Sequence, residues 1–266
     1  MEIIRQVLYP IRATMAESWS DRGRVFLLGD AAHTMPPTMG QGACSGMRDA
    51  ITLSWKLDLV LRGVATEDLL STYESERRPH AQAIVEGSVM LGDVAYTMDP
   101  IRAAARDEAF RSGSIPPPPP FPVVETGVIR TTADGSPAPG AGTLAPQGVV
   151  TTAEGRTGRF DDVLGGRGFT LVTRVSADAV LDGDQEAFLE GIGCTVHTTV
   201  PGELRSFGDD AGVYGAYLDR IDADLVLYRP DFVVFGVCRA AGLPALLEQL
   251  RVTLHPARPP ALVTQP

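Results

Sequence analysis

The sequence has one lysine, Lys56, three cysteines, and no apolar run near the ~20 residues that a membrane-spanning helix requires. Each shortage excludes something. Cys44, Cys194 and Cys238 are odd in number, far apart and never in a C-x-x-C, so neither a disulfide framework nor a zinc ribbon is expected. A reducing cytoplasm is the expected compartment. The stretch MEIIRQVLYPIRATM lacks the apolar core and small-residue cleavage site of a secretory signal. Positive charge is scarce: 23 Lys and Arg face 33 Asp and Glu, a net charge of −10, which argues against nucleic acid or an anionic membrane surface as partner. The histidines His33, His80, His197 and His255 stand apart, in no cluster with metal-ligand spacing, so no metal is expected.

The 266 residues, 44% hydrophobic and 21% charged, suit a soluble globular protein of one large or two ordinary domains. Residues 3–15 have strand character interrupted by Pro10, which predicts an edge or bulged strand. Arg24–Leu28 is an apolar run ending at Gly29-Asp30, the pattern of a buried parallel strand. Gly42–Arg62 reads as a helix with Met47, Ala50, Ile51, Ser54, Leu57 and Leu61 as its stripe and Gly63 as its stop. Thr66 is placed to cap a second helix carrying Leu69, Leu70 and Tyr73, which Pro79 should break before a further helix over 81–95. SGSIPPPPPFP (112–122) reads as a polyproline spacer and a domain boundary. Beyond it, strands over 168–175 and 193–200, a hairpin over 225–238 and helices over 184–191 and 243–254 predict a small α/β domain.

Chemistry concentrates in RVFLLGDAAHTMPPTMGQGACSGMRDA (24–50). Gly29 allows close backbone approach, and the Asp30 carboxylate can accept hydrogen bonds from sugar or ribityl hydroxyls. Pro36 and Pro37 stiffen the loop, and Gly40 and Gly42 hinge it. The amides of Gly42, Ala43 and Cys44 open the helix, where unsatisfied donors and the helix dipole favour negative charge on a ligand. The competing reading is an ordinary strand-turn-helix crossover with a glycine-rich turn. His33 reads either as a base or as a loop histidine bonded to backbone. Cys44 is open to two readings, a thiol at a helix N-terminus or a backbone donor. GAGTLA (140–145) lacks a strand before and a helix after, so it reads as a loop.

GDAAHTMPPTMGQGACSGMRDAITLSWKL resembles the second flavin-contacting motif of the class A flavoprotein aromatic hydroxylases. ATMAESW, LLSTYESERRPHA, GRFDDVLGGRGFTLV and LYRPDFVVFG resemble the 3-(3-hydroxyphenyl)propionate hydroxylase branch in the expected order. The resemblance implies an α/β fold: the C-terminal part of a p-hydroxybenzoate hydroxylase-like FAD-binding domain, then a thioredoxin-like domain without C-x-x-C. Residues 1–111 would comprise the last strand of the substrate sheet (1–20), the flavin strand-loop-helix (24–63) and helices (66–110). Residues 112–122 would be the linker and 123–266 the thioredoxin-like domain, serving packing and oligomer contact.

The resemblance further implies FAD as cofactor, NAD(P)H as reductant, and a phenolic substrate that receives one oxygen atom from O2. Gly29 and Asp30 would meet the ribityl chain. Pro36 and Pro37 would lie beside flavin and substrate, Gly40 would belong to the cofactor-binding loop, and Gly42, Ala43 and Cys44 would face the flavin pyrimidine edge, Cys44 through its N–H. Arg77 and Arg78 match an E-R-R-P element and are expected to pair with Glu74 and Glu76. The family's opening G-x-G-x-x-G grip on the ADP half of FAD has no counterpart here, which implies a fragment, a split gene product with a separate N-terminal half, or one piece of a complex. The alternative is a flavin-free remnant, acting as an interaction module or as a non-oxidative catalyst on an aromatic or polyketide ligand.

Overall fold

The computed structural model describes residues 10–115, 117, 119–165 and 168–255. The chain forms two compact units, residues 1–50 with 77–122 and residues 51–76 with 123–266. The proline-rich stretch ends one of them, but residues 51–76 belong with the C-terminal part, a division different from the one read off composition.

In the first unit the strands are two-residue ladders. β1 (Thr14–Met15) pairs antiparallel with β4 (His33–Thr34), and β2 (Ser20–Asp21) pairs antiparallel with β3 (Val25–Phe26). The expected buried parallel strand over Arg24–Leu28 is therefore a short antiparallel one. Its hairpin closes through Arg22 and Gly23, both at positive φ, and Val25 is 56% exposed. Of the strand expected over 3–15, residues 3–9 lie outside the described residues.

Helix α1 (Gly42–Leu61) has the expected bounds but not the expected face. Met47 and Leu61 are exposed, whereas Ser45, Asp49, Thr52 and Lys56, spaced by four, three and four residues, are buried. Buried partners satisfy the last three of these polar groups, so a polar stripe turns inward beside buried Leu53, Trp55 and Leu59, while most of the expected stripe is exposed.

Helix α2 (Ser71–Tyr96) is continuous through Pro79, which was expected to break it. Proline removes the N–H that would bond to the Ser75 carbonyl one turn earlier. The Thr126 hydroxyl donates to that carbonyl instead, at 3.0 Å. Thr66 sits at the start of a short 3-10 turn (Glu67–Leu70) but makes no side-chain cap. Helix α3 (Pro100–Ser112) is capped as its sequence dictates: Asp99 accepts from the amides of Ile101 and Arg102, Pro100 opens the helix, and Gly113 closes it at φ 70°.

The second unit is built on β5 (Val149–Thr152), β6 (Thr157–Arg159), α4 (Phe160–Val163), β7 (Thr170–Thr173), α5 (Ala177–Val180), α6 (Gly183–Gly191), β8 (Thr195–Thr198), β9 (Phe207–Gly208), α7 (Val213–Arg220), β10 (Leu225–Tyr228), β11 (Val234–Cys238) and α8 (Leu243–Leu254). Its main sheet has the order β11-β10-β7-β8, with β7 and β8 parallel and the other pairs antiparallel. A parallel pair joined through a helix, then a hairpin and a closing helix, is the thioredoxin-like arrangement.

Strands β7, β10 and β11 are buried on both faces. Leu171, Leu225 and Leu227 pack with Trp55, Leu69, Leu246 and Leu250, while Val172, Val226 and Tyr228 pack with Phe160, Tyr214 and Leu218. Alternation along each strand thus feeds two cores. The GAGTLA segment is packed structure: a side chain on Gly142 would overlap the Val124 carbonyl, and the Gly142 amide bonds to Val234 O at 2.9 Å.

Candidate functional site

The site in the first unit starts with a glycine contact. Gly29, at φ +55°, opens a single 3-10 turn (Gly29–Ala31), and a Cβ on Gly46 would lie 3.2 Å from Gly29 Cα. The turn therefore rests on the first part of α1 with no side chain between. Asp30, on the same turn, is exposed.

A second 3-10 turn (Pro37–Met39) leads to Gly40 at φ 64°, where an added Cβ would meet nothing within 4 Å. Pro36 is buried and Pro37 exposed. The Ser45 amide donates to Gln41 O at 2.8 Å, the first bond of the α1 ladder. The amides of Gly42, Ala43 and Cys44 thus precede the ladder and carry the positive end of the helix dipole. Ala43 is exposed, and Gly42 and Cys44 half-buried. Open backbone donors, an exposed carboxylate and a glycine turn suit a planar anionic ring with a hydroxylated chain, so these residues fit a flavin.

Behind this surface sits a residue the sequence reading missed. The buried Asp49 carboxylate accepts from the Gly29 amide at 3.0 Å, from His33 Nε2 at 2.8 Å and from Arg77 Nε at 2.9 Å. Burial alone would raise its pKa; the His33 bond, the Arg77 charge and the Gly29 amide outweigh it and hold the carboxyl below its ordinary value. His33 is thus neither of the loop histidines foreseen. Its ring is buried, tilted against Trp19 at 5.3 Å and bonded to a carboxylate. Arg77 pairs with Asp49, and Glu76 takes Lys56 and Arg229. Neighbouring His80 is driven down to about 3 by burial, then by the charges of Arg77 and Arg48, and stays neutral.

Glu76 belongs to a second buried cluster, inside the other unit. Its carboxylate takes Lys56 Nζ at 2.7 Å, Arg229 Nη2 at 2.7 Å and the Val128 amide at 2.8 Å. Asp231 accepts from Arg229, from Trp55 Nε1 at 3.1 Å and from Thr52 at 3.0 Å. Burial lowers the Lys56 pKa to about 8, against the pull of Glu76. Burial would raise Glu76 and Asp231, but the charges of Arg229 and Lys56 and the hydrogen bonds together outweigh it and hold both carboxyls low. The R-P-D turn between β10 and β11, to which no chemistry was attached, therefore anchors α1 and α2 residues of its own unit. Two buried cations match two buried carboxylates, as burial of charge requires.

The remaining candidates have structural surroundings. His197 lies between Phe160 and Phe207 and is lowered to about 4 by burial and then by Arg205. Burial raises the Cys238 thiol to about 11, and all three cysteines are free.

A family model described as FAD binding domain matches residues 1–88, and one described as HcaD C-terminal domain matches residues 142–253. A probable NADH-specific resorcinol 4-hydroxylase of Rhodococcus jostii (strain RHA1) is 36% identical over 98% of this chain and 49% of its own length. A 3-(3-hydroxy-phenyl)propionate/3-hydroxycinnamic acid hydroxylase of Mycolicibacterium vanbaalenii is 35% identical over 97% and 49%. Among solved structures, aklavinone-11 hydroxylase with FAD and aklavinone aligns at TM-score 0.65 and 25% identity, covering 91% of this chain and 46% of that one. The rebeccamycin biosynthetic enzyme RebC with reduced flavin aligns at 0.63 and 28%, covering 90% and 46%. The chain spans about half the length of the curated relatives it matches. By sequence and by fold, the chain is similar to one half of these hydroxylases.

Proposed function

We propose that this chain supplies the ring-and-ribityl side of an FAD site in an NAD(P)H-dependent aromatic hydroxylase, and that a second, N-terminal half supplies the ADP grip. The observation that carries this reading is the joint placement of the Gly29–Asp30 turn and the start of α1, closed on each other at a glycine–glycine contact. Bound FAD, reduced by NAD(P)H, provides the reaction with O2 by which one oxygen enters a phenolic ring.

The chain's own residues bind and orient. Asp30 accepts from ribityl hydroxyls, and the amides of Gly42, Ala43 and Cys44 stabilise negative charge at the pyrimidine edge. Pro36 and Pro37 hold the loop beside ring and substrate, and Gly40 leaves that face open. The matched relatives are about twice as long, and exposed Met47, Met90, Met98 and Ile101 in the first unit give a complementing half apolar surface to cover.

The test is a fluorescence titration of FAD into the chain, alone and mixed with the separately expressed N-terminal half of the Rhodococcus relative. The expected result is weak quenching with the chain alone, and saturable binding with NADH oxidation in the mixture. Absence of flavin binding in both arms overturns the reading and leaves the flavin-free remnant as the account.

A further inference from the structure

We propose that Asp49 is the positioning residue of this site: it fixes the Gly29–Asp30 turn onto α1 and so sets the Asp30 carboxylate in register with the helix-start amides. The inference rests on the flavin reading for its consequence, but its geometry stands on the hydrogen bonds alone. Asp49 lies two turns into α1, and both its oxygens are used. One takes Arg77 Nε from α2, and the other takes the Gly29 amide and His33 Nε2. One carboxylate thereby ties the first glycine of the turn, the β4 strand that follows it, and both helices.

Gly29 needs this anchor. Its φ of +55° places it in the left-handed region, and the bare approach of Gly46 leaves no side chain to wedge the turn in place. Arg77 and His33 are in turn held by Asp49, so removing the carboxylate strands two donors in a buried place. None of these groups would touch a ligand; Asp49 acts through Gly29.

The conservative variant Asp49→Asn keeps the shape but presents an NH2 to at least one of three donors. The first measurement is hydrogen–deuterium exchange of the flavin-free chain. We expect uptake across residues 28–34 to rise at least tenfold, while α8 in the other unit is unchanged. The second is FAD titration of the mixture with the N-terminal half, where affinity falls at least tenfold and the flavin absorption envelope shifts, a signature that mere loss of folded protein would not produce. Unchanged exchange at 28–34 with an intact circular dichroism spectrum overturns the proposal.

Should Asp49→Asn fail to fold, Arg77→Lys decides, because it removes one of the bonds and keeps the charge. Raised uptake at 28–34 then supports the proposal, and uptake confined to α2 around residue 77 overturns it. If the wild-type chain binds no flavin either alone or in the mixture, the flavin reading fails while the exchange result still stands.

Discussion

A single carboxylate, Asp49, distinguishes this surface from an ordinary glycine-rich crossover. The residues that would touch a flavin are legible in the sequence, because glycine, proline and aspartate in a strand-loop-helix context each carry a local physical meaning. The residues that hold them are not, because their partners lie 16, 20 and 28 positions apart and local pattern is blind to that. One signal was present: Ser45, Asp49, Thr52 and Lys56 recur at helical spacing, and a polar stripe so regular is a candidate buried face.

Two predictions belong at the residue scale. Asp30→Ala, at an exposed position, should leave folding intact and weaken FAD binding by about 1.5–3 kcal/mol, the range for a hydrogen bond to a charged group; equilibrium titration of the reconstituted mixture measures it. Gly127→Ala should destabilise the second unit by more than about 2 kcal/mol in urea. Gly127 sits at φ +84°, and an added Cβ would run into the Glu76 carboxylate.

At the scale of elements, helix positions were read well and helix faces poorly. Helix α8 matches its expected span, and the β10–β11 hairpin falls where alternation places it. The buried face of α1 lies elsewhere than read because Asp49, Thr52 and Lys56 turn inward to buried polar partners beside Leu53, Trp55 and Leu59. Pro79 failed as a breaker because a threonine some fifty residues on supplies the missing donor. Thr126→Val should therefore cost about 1 kcal/mol, read from the urea midpoint. A smaller or null effect from the paired Pro79→Ala, Thr126→Val variant would show the regained N–H taking over.

For the whole molecule, buried charge governs the pH dependence. Asp49, Glu76 and Asp231 have folded pKa values below their unfolded ones. Their contribution is full above about pH 5 and is lost as pH falls through the folded values, since the unfolded chain then binds the protons first. Lys56 gives a slope of the same sign, but in the alkaline range. With a folded pKa of about 8, it binds fewer protons folded than unfolded between there and its ordinary value, so stability rises with pH in that window. Urea midpoints from pH 3 to pH 10 should show both limbs, and Lys56→Met should abolish the alkaline rise. Glu76→Ala, which strands Lys56 and leaves Arg229 with Asp231 as its one carboxylate partner, should cost about 3–5 kcal/mol.

The central claim is that Gly29–Asp30 and Gly42–Cys44 form one side of a flavin site, and amide NMR tests it most directly. FAD is added to the isotopically labelled chain in the presence of the unlabelled N-terminal half. The account predicts the largest flavin-dependent shifts at Gly29, Asp30, Gly42, Ala43 and Cys44, beyond those the half itself produces. Flavin-dependent shifts that spare these five amides, or none at all, would contradict it.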